Sequence, residues 1–140
     1  MRARQESPLV EVVAGYATGA QGAGVAYARL SGEGRQNILR VAFRVSAPRE
    51  CRERAAGYAA LTAIVRALWK RGIRAARLIV GDEEFAQEIA TGRCVDERLA
   101  IPYVRLRCAM NSLATFDVQA GSADDLTQRA KAEAALNVAA

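Results

Sequence analysis

The sequence contains no histidine and only three cysteines in 140 residues. Catalysis by an imidazole base and a pH switch centred on histidine are therefore excluded. Cys51, Cys94 and Cys108 show no Cys-x-x-Cys spacing, so we expect no structural zinc site. An odd, scattered set of cysteines is typical of free thiols in a reducing compartment rather than of a disulfide framework.

Long apolar runs and lysines are also scarce. Arginines interrupt the apolar stretches, so no membrane span is expected. The segment from Met1 to Pro8 is polar and lacks the apolar core of a secretory signal, so we expect a cytoplasmic protein. Nearly all of the positive charge behind the net +5 is arginine. Because arginine binds phosphate in a bidentate way, this composition is compatible with a polyanionic partner.

What is present is one uninterrupted succession of strand and helix patterns. Apolar and β-branched runs separated by glycine-rich turns predict a three-stranded antiparallel meander over 10–17, 24–30 and 36–45. Helical and strand patterns then alternate: a helix over 48–71, a strand over 76–80, a helix over 82–91, a helix that has Pro102 near its start and runs to about Met110, a strand over 114–119 and a helix from 122. We therefore expect a single domain over 1–140, with 1–8 and the last few residues as candidates for disorder.

Four short motifs stand at fixed places in this order. They are Ala14-Gly15-Tyr16 before a glycine-rich turn, Gly57-Tyr58-Ala59-Ala60-Leu61 in the first helix, Gly81-Asp82 after the fourth strand, and Ala123-Asp124-Asp125-Leu126 in the last helix. Their order and spacing resemble the ribonuclease HI and reverse-transcriptase-associated family. That resemblance implies a ribonuclease H-like α/β fold, in which helices pack on a five-stranded mixed sheet of an antiparallel meander followed by parallel strands.

The resemblance also implies a site where four carboxylates hold two divalent cations that cleave the RNA strand of an RNA–DNA hybrid. The strand aspartate falls on Ala14 or, with a shift of one residue, on Gly15, and the helix glutamate falls on Gly57. Asp82 and Asp124 match the other two carboxylates. Since two of four are missing, we expect no cofactor and no working nuclease. Magnesium or manganese would be held, weakly, by Asp82 and Asp124 only if residual ribonuclease H activity exists.

The two remaining acids also have a structural interpretation, which we favour over metal binding. Asp82 precedes a helix and is a good N-cap residue. Asp124 falls in the first turn of the last helix, where a negative charge complements the helix dipole. Gly57 lies on the apolar stripe of its helix, which favours close packing over a pocket left open by lost metals. Tyr58 and Trp69 are expected in the core.

Three arginines, Arg49, Arg52 and Arg54, cluster at the start of the first helix. In the family this helix end lies beside the nucleic-acid groove, so the resemblance makes them candidates for phosphate contacts; a solvated segment is the alternative. The leading hypothesis is a non-catalytic module that binds RNA–DNA hybrid, structured RNA or DNA. The other hypotheses are a protein-interaction domain or homodimer, and a weak metal-dependent ribonuclease H.

Overall fold

The computed structural model describes residues 9–94 and 96–138. The strands are β1 (Val10–Thr18), β2 (Ala23–Gly32), β3 (Arg35–Arg44), β4 (Ala75–Val80) and β5 (Thr115–Ala120). The helices are α1 (Arg52–Lys70), α2 (Glu83–Thr91), α3 (Ala100–Asn111) and α4 (Asp124–Val138). The expectation of disorder at 1–8 and in the last few residues falls largely outside the described range. No helix in the described ranges is both long and apolar enough to cross a membrane.

The five strands form one mixed sheet in the order β3-β2-β1-β4-β5. β1 pairs antiparallel with β2, and β2 pairs antiparallel with β3. β4 runs parallel to both β1 and β5. The short β4 is apolar and central, as expected for a parallel strand covered on both faces. The predicted element order and mixed sheet are confirmed.

Helices α1 and α4 cover opposite faces of the sheet, and the alternation along β1 assigns its side chains to them. Val12 and Ala14 belong to the main core beneath α1. Val13 belongs to the smaller cluster beneath α4. A Cβ atom on Gly15 would collide with the α4 backbone at Thr127, so this glycine permits the helix to approach the strand closely.

Helix α3 packs on α1 and begins at Ala100, so Pro102 lies near its start, as predicted. A 3-10 turn over Glu97–Leu99 leads into it, and the Asp96 side chain caps that turn by accepting from the Arg98 backbone amide. Pro102 then lies in the first turn of α3, where a missing amide hydrogen costs nothing.

The two aromatic residues that were expected in the core differ in burial. Tyr58 of α1 is fully buried, as predicted. Trp69 is 47% exposed near the end of the same helix, so its assignment to the core was wrong. Trp69 lies one position beyond Leu68, which points into the core, and the helical rotation turns the indole towards solvent.

Candidate functional site

The four positions that match the family carboxylates lie in different environments. Ala14 is buried in β1 on the face covered by α1, and it pairs in register with Val80, close before Asp82. Gly57 is buried in α1, also facing the core. Asp82 follows β4, while Asp124 is the exposed first residue of α4. Ala14, Gly57 and Asp82 therefore converge on one end of the sheet.

The space in front of Gly57 is filled by two aromatic side chains. A Cβ atom at Gly57 would lie 2.6 Å from Cε2 of Phe85 and 2.8 Å from the hydroxyl oxygen of Tyr16. Phe85 comes from α2 and is fully buried, and Tyr16 comes from β1, two residues after Ala14. The glycine is therefore explained by packing rather than by an open pocket, because any larger side chain would displace a ring.

Asp82 uses both carboxylate oxygens within the protein. Its Oδ1 accepts a hydrogen bond of 3.1 Å from the backbone amide of Phe85, which is the N-cap arrangement expected at the start of α2. Its Oδ2 lies 3.5 Å from Nη1 of Arg54. Both contacts support the structural interpretation of Asp82.

Arg54 supplies the positive charge at this place. Its Nε lies 3.1 Å from Oε2 of Glu88, and its guanidinium carbon lies 4.9 Å from the centre of the Phe85 ring. Together with the contact to Asp82, one guanidinium therefore joins two carboxylates and an aromatic face. Arginine suits this position because its planar, delocalised charge both stacks on a ring and bridges acids.

An aromatic chain continues from this arginine into the core. Phe85 meets Tyr58 edge to face at 5.1 Å between ring centres, and Tyr58 meets Tyr103 in the same way at 5.8 Å. The Tyr58 hydroxyl donates to Glu88 at 3.3 Å. Burial raises the pKa of the Tyr58 phenol, and the charge of Glu88 raises it further. Rings from α1, α2 and α3 are thereby packed into one unit.

Tyr16 remains a neutral phenol beside Asp82. Burial raises the pKa of Tyr16 to about 12, with a further contribution from the negative charge of Asp82, against which Arg54 acts. At neutral pH the residue therefore carries its proton and adds no anionic ligand. Its hydroxyl occupies the volume next to Gly57 instead.

These residues do not fit a centre for two divalent cations. Such a centre needs several charged oxygen ligands, and the positions of Ala14 and Gly57 offer none. Within residues 9–94 and 96–138, no three histidine, cysteine, aspartate or glutamate side chains are grouped so as to hold a metal ion. Asp82, the acid nearest to the buried positions, already interacts with Arg54.

The surface around this unit is a groove of about 680 Å³ with a negative lining. We call it the acidic groove; its charged lining consists of six carboxylates (Glu50, Glu53, Asp82, Glu84, Glu88 and Asp96) and two arginines (Arg54 and Arg93). Asp124 is not among its lining residues. The structure therefore does not bring the two matching aspartates into one cavity, and the groove repels an approaching phosphate.

The three arginines proposed for phosphate contacts separate into two kinds. Arg49 lies in a 3-10 turn and Arg52 begins α1, and both are exposed. Arg54 is directed inward, and its contacts to two carboxylates compete with any phosphate. The phosphate contacts of Arg49 and Arg52 stay predictions, and the negative charge of the neighbouring groove opposes the approach of phosphate.

No family model and no curated protein matches the sequence. Several solved structures are similar to this one. Ribonuclease H1 from Halobacterium salinarum is 18% identical, covering 92% of this chain and 98% of its own, with a TM-score of 0.65. The N-terminal ribonuclease H domain of a Mycobacterium tuberculosis protein is 18% identical, covering 96% and 100%, with a TM-score of 0.67. The chain has the ribonuclease H-like fold. A third ribonuclease H1, isolated from compost and solved in complex with an RNA/DNA hybrid, is 10% identical, covering 88% and 91%, with a TM-score of 0.60.

Three residues of the site around Gly57 were missed by reasoning from the sequence. Tyr16, Phe85 and Glu88 were given no role there, because each acts through a partner on another element. The only available signal was Gly57 itself, because a glycine on the buried stripe of a helix indicates that something packs closely against it.

Proposed function

We propose that this chain is a non-catalytic ribonuclease H-like module that binds nucleic acid. The observation that carries the proposal is the unit formed by Arg54, Phe85 and Tyr16. It fills the space before Gly57 and contacts Asp82, where the resemblance implies carboxylates and metal ions.

The loss of catalysis follows from charge and volume. A two-metal mechanism needs clustered negative charge to hold two dications close together. A guanidinium beside Asp82 has the opposite effect, since it neutralises the carboxylate and repels a metal ion. The Phe85 ring also removes the space that a carboxylate at position 57 needs.

Binding without cleavage is supported by the arginine content and by the fold. The chain carries a net charge of +5, and arginine suits bidentate contacts with phosphate. One protein of similar fold was solved with an RNA/DNA hybrid. Arg49 and Arg52 are the contacts carried over from the resemblance, and we leave Arg54 out because it is engaged within the protein.

The test combines a cleavage assay with a binding assay on one substrate. A labelled RNA–DNA hybrid is incubated with the protein in magnesium and then in manganese, beside the Asp82→Asn variant. We expect no cleavage in either metal and an affinity that falls steeply as salt rises, because binding releases counterions. Cleavage that Asp82→Asn lacks would mean that the remaining carboxylates suffice, and the non-catalytic proposal would be wrong.

A protein-interaction domain is the second candidate, and exposed apolar side chains favour it. Ile101 is 67% exposed and Val104 is 54% exposed on α3, close to the exposed Trp69 of α1. Apolar surface of this kind is typical of interfaces. Light scattering tests the homodimer form of this hypothesis. A monomer at high concentration would exclude the homodimer, and the interaction would then have to be with a different protein.

A further inference from the structure

A second groove lies on the other side of α1, between the end of β3 and the start of α3. Its volume is about 700 Å³, and its charged lining consists of Arg44, Arg66, Arg98 and Arg105. A shallower depression of about 410 Å³ continues it towards the end of α1 and shares Arg66 and Arg105 with it. We call the two together the arginine groove.

The charge of the arginine groove is of one sign. No aspartate or glutamate is among the described residues that line either depression. Arg98 is paired with Asp96 and Glu50, whereas Arg44, Arg66 and Arg105 form no ion pair with any residue in the described ranges. Most of this positive charge is therefore available to a ligand.

The floor of the groove is smooth and uncharged. Ala55, Ala59 and Ala63 line it at intervals of four residues, so they form one stripe along α1. Ile101 and Pro102 of α3 form one wall. Small side chains between cationic rims leave a channel that can accept flat or extended groups.

An aromatic side chain stands at the far end of this channel. Trp69 is 47% exposed and lines the shallower depression together with Lys70. One face of its indole is held by Arg74, whose guanidinium carbon lies 4.8 Å from the ring centre. The ring is thus fixed in orientation while part of it stays open to solvent.

We propose that the arginine groove binds single-stranded nucleic acid, with phosphates on Arg44, Arg66 and Arg105 and a base on Trp69. This inference rests on the proposed function and assigns its binding site to this face rather than to the acidic groove. A cationic channel that ends in an aromatic surface is the combination that recognises single strands without regard to sequence. From Ala55 to Lys70 the channel follows α1 for about 22 Å, at about 1.5 Å per residue. That length matches about six stacked nucleotides at ~3.4 Å each.

An acidic protein segment is the competing occupant, and the pattern of charge favours a nucleic acid. Cations follow the channel along its length from Arg44 to Lys70, as a regularly charged backbone requires. The floor of the channel along α1 consists of alanines, so an acidic helix would find large, exposed apolar contacts only at Ile101 and Val104 of α3 and at Trp69. The outcome with an acidic polypeptide is therefore part of the test.

The experiment uses the intrinsic fluorescence of the chain, because Trp69 is its single tryptophan. A single-stranded oligodeoxythymidylate, several times longer than the groove, is titrated into the full chain at low salt. We expect quenching of Trp69 fluorescence together with an increase in the anisotropy of a label on the strand. Binding without quenching would place the strand elsewhere and overturn the groove assignment.

Charge-reversal variants separate the groove from the proposed function. Arg66→Glu with Arg105→Glu is expected to weaken binding at least ~10-fold, because each lost phosphate contact removes affinity. Arg35→Glu with Lys131→Glu is the matched control: both residues are exposed, the total charge changes equally, and neither lines the groove. The control is expected to change affinity no more than ~3-fold. Circular dichroism verifies that both variants are folded.

The remaining outcomes each give a distinct answer. If Arg49→Glu with Arg52→Glu abolishes binding while the groove variant does not, the groove assignment is wrong and the proposed function stands. If neither single strand nor RNA–DNA hybrid binds at low salt, both are wrong. If polyglutamate quenches Trp69 and oligodeoxythymidylate does not, the groove serves an acidic protein instead.

Discussion

The acidic groove and the arginine groove both take residues from α1, yet their charges are opposite. Glu53 and Arg54 line the first, and the neighbouring Ala55 lines the second. The acidic groove holds the position that matches a family motif, but its Arg54 and Glu88 are bound to each other. The arginine groove holds no motif, but most of its cations are unpaired within the described residues. On the proposals made above, available charge rather than a matching motif indicates where a ligand binds.

The largest expected effect follows from placing a glutamate at Gly57, the position that matches the family glutamate. Gly57→Glu is expected to lower the free energy of unfolding by more than about 3 kcal/mol, because it overpacks the site and buries a carboxylate against Phe85. Urea denaturation measures it. The smaller Gly57→Ala is expected to cost about 1–2 kcal/mol, since the ring contact outweighs the gain in helix propensity.

Gly81 provides the control for Gly57. A Cβ atom at Gly81 would have no atom within 4 Å, and its φ is not positive, so Gly81→Ala is expected to leave stability nearly unchanged. A Gly57→Ala variant as stable as the wild type would mean that the space before α1 is open, and the contrast between the two grooves would weaken.

The arginine at the centre of the acidic groove is expected to have the next largest effect. Arg54→Met leaves Glu88, whose side chain is only 14% exposed, without its ion pair, and is expected to cost about 2 kcal/mol. Thermal and urea unfolding measure the loss. Arg52→Met is the matched control on the same helix, exposed and without an ion pair to the described residues, and it is expected to change stability by less than about 0.5 kcal/mol. Equal effects of the two substitutions would contradict the internal role of Arg54.

A pair on the α4 side provides a pH response that belongs to neither groove. Glu133 accepts a hydrogen bond from Arg40, whose Nε lies 2.8 Å from Oε1, and another from Tyr27. These bonds, first that of Arg40 and then that of Tyr27, lower the pKa of Glu133 to about 2. Because the folded pKa lies below the unfolded value of 4.5, the stabilisation is present above that value and is lost as pH falls towards 2. Solvent screens the half-exposed Arg40, so we expect Glu133→Gln to cost about 1 kcal/mol at neutral pH.

The pH dependence of that difference is the measurement. Wild type and Glu133→Gln are unfolded in urea at neutral pH and at steps below pH 4.5, and their stabilities are expected to converge as the pH falls. A difference that stays constant with pH would assign the effect to packing rather than to charge.

The smallest expected effect concerns the phenol in the filled site. Asp82→Asn removes a negative charge that raises the pKa of Tyr16, so that pKa is expected to fall below its value of about 12. Spectrophotometric titration of the phenols measures the change, and Tyr16→Phe identifies which transition belongs to Tyr16. An unchanged titration would place the Asp82 charge too far away to act on this site.

The parts of the molecule that sequence reasoning predicted are those governed by local rules. The meander follows from alternation and glycine turns, and the N-cap at Asp82 follows from a contact that spans three residues. Close packing at Gly57 was predicted from its place on the apolar stripe, but the residues that pack against it were not. Phe85 and Gly57 meet because two helices from distant parts of the chain approach each other, and neither residue alone records that approach. The assignment of Trp69 to the core was wrong for a related reason, because composition alone does not determine which side of a helix stays exposed to solvent.

Under the proposed non-catalytic role, the contact between Phe85 and Gly57 also prevents a single substitution from adding a usable carboxylate at position 57. A glutamate introduced at Gly57 meets the ring before it meets any metal, while removal of the ring alone leaves a cavity in the core and no ligand gained. Either substitution alone destabilises the fold, and a carboxylate ligand is gained only when several changes are made together. Under this proposal, selection for a stable fold is sufficient to keep both Gly57 and Phe85, independently of any selection for catalysis.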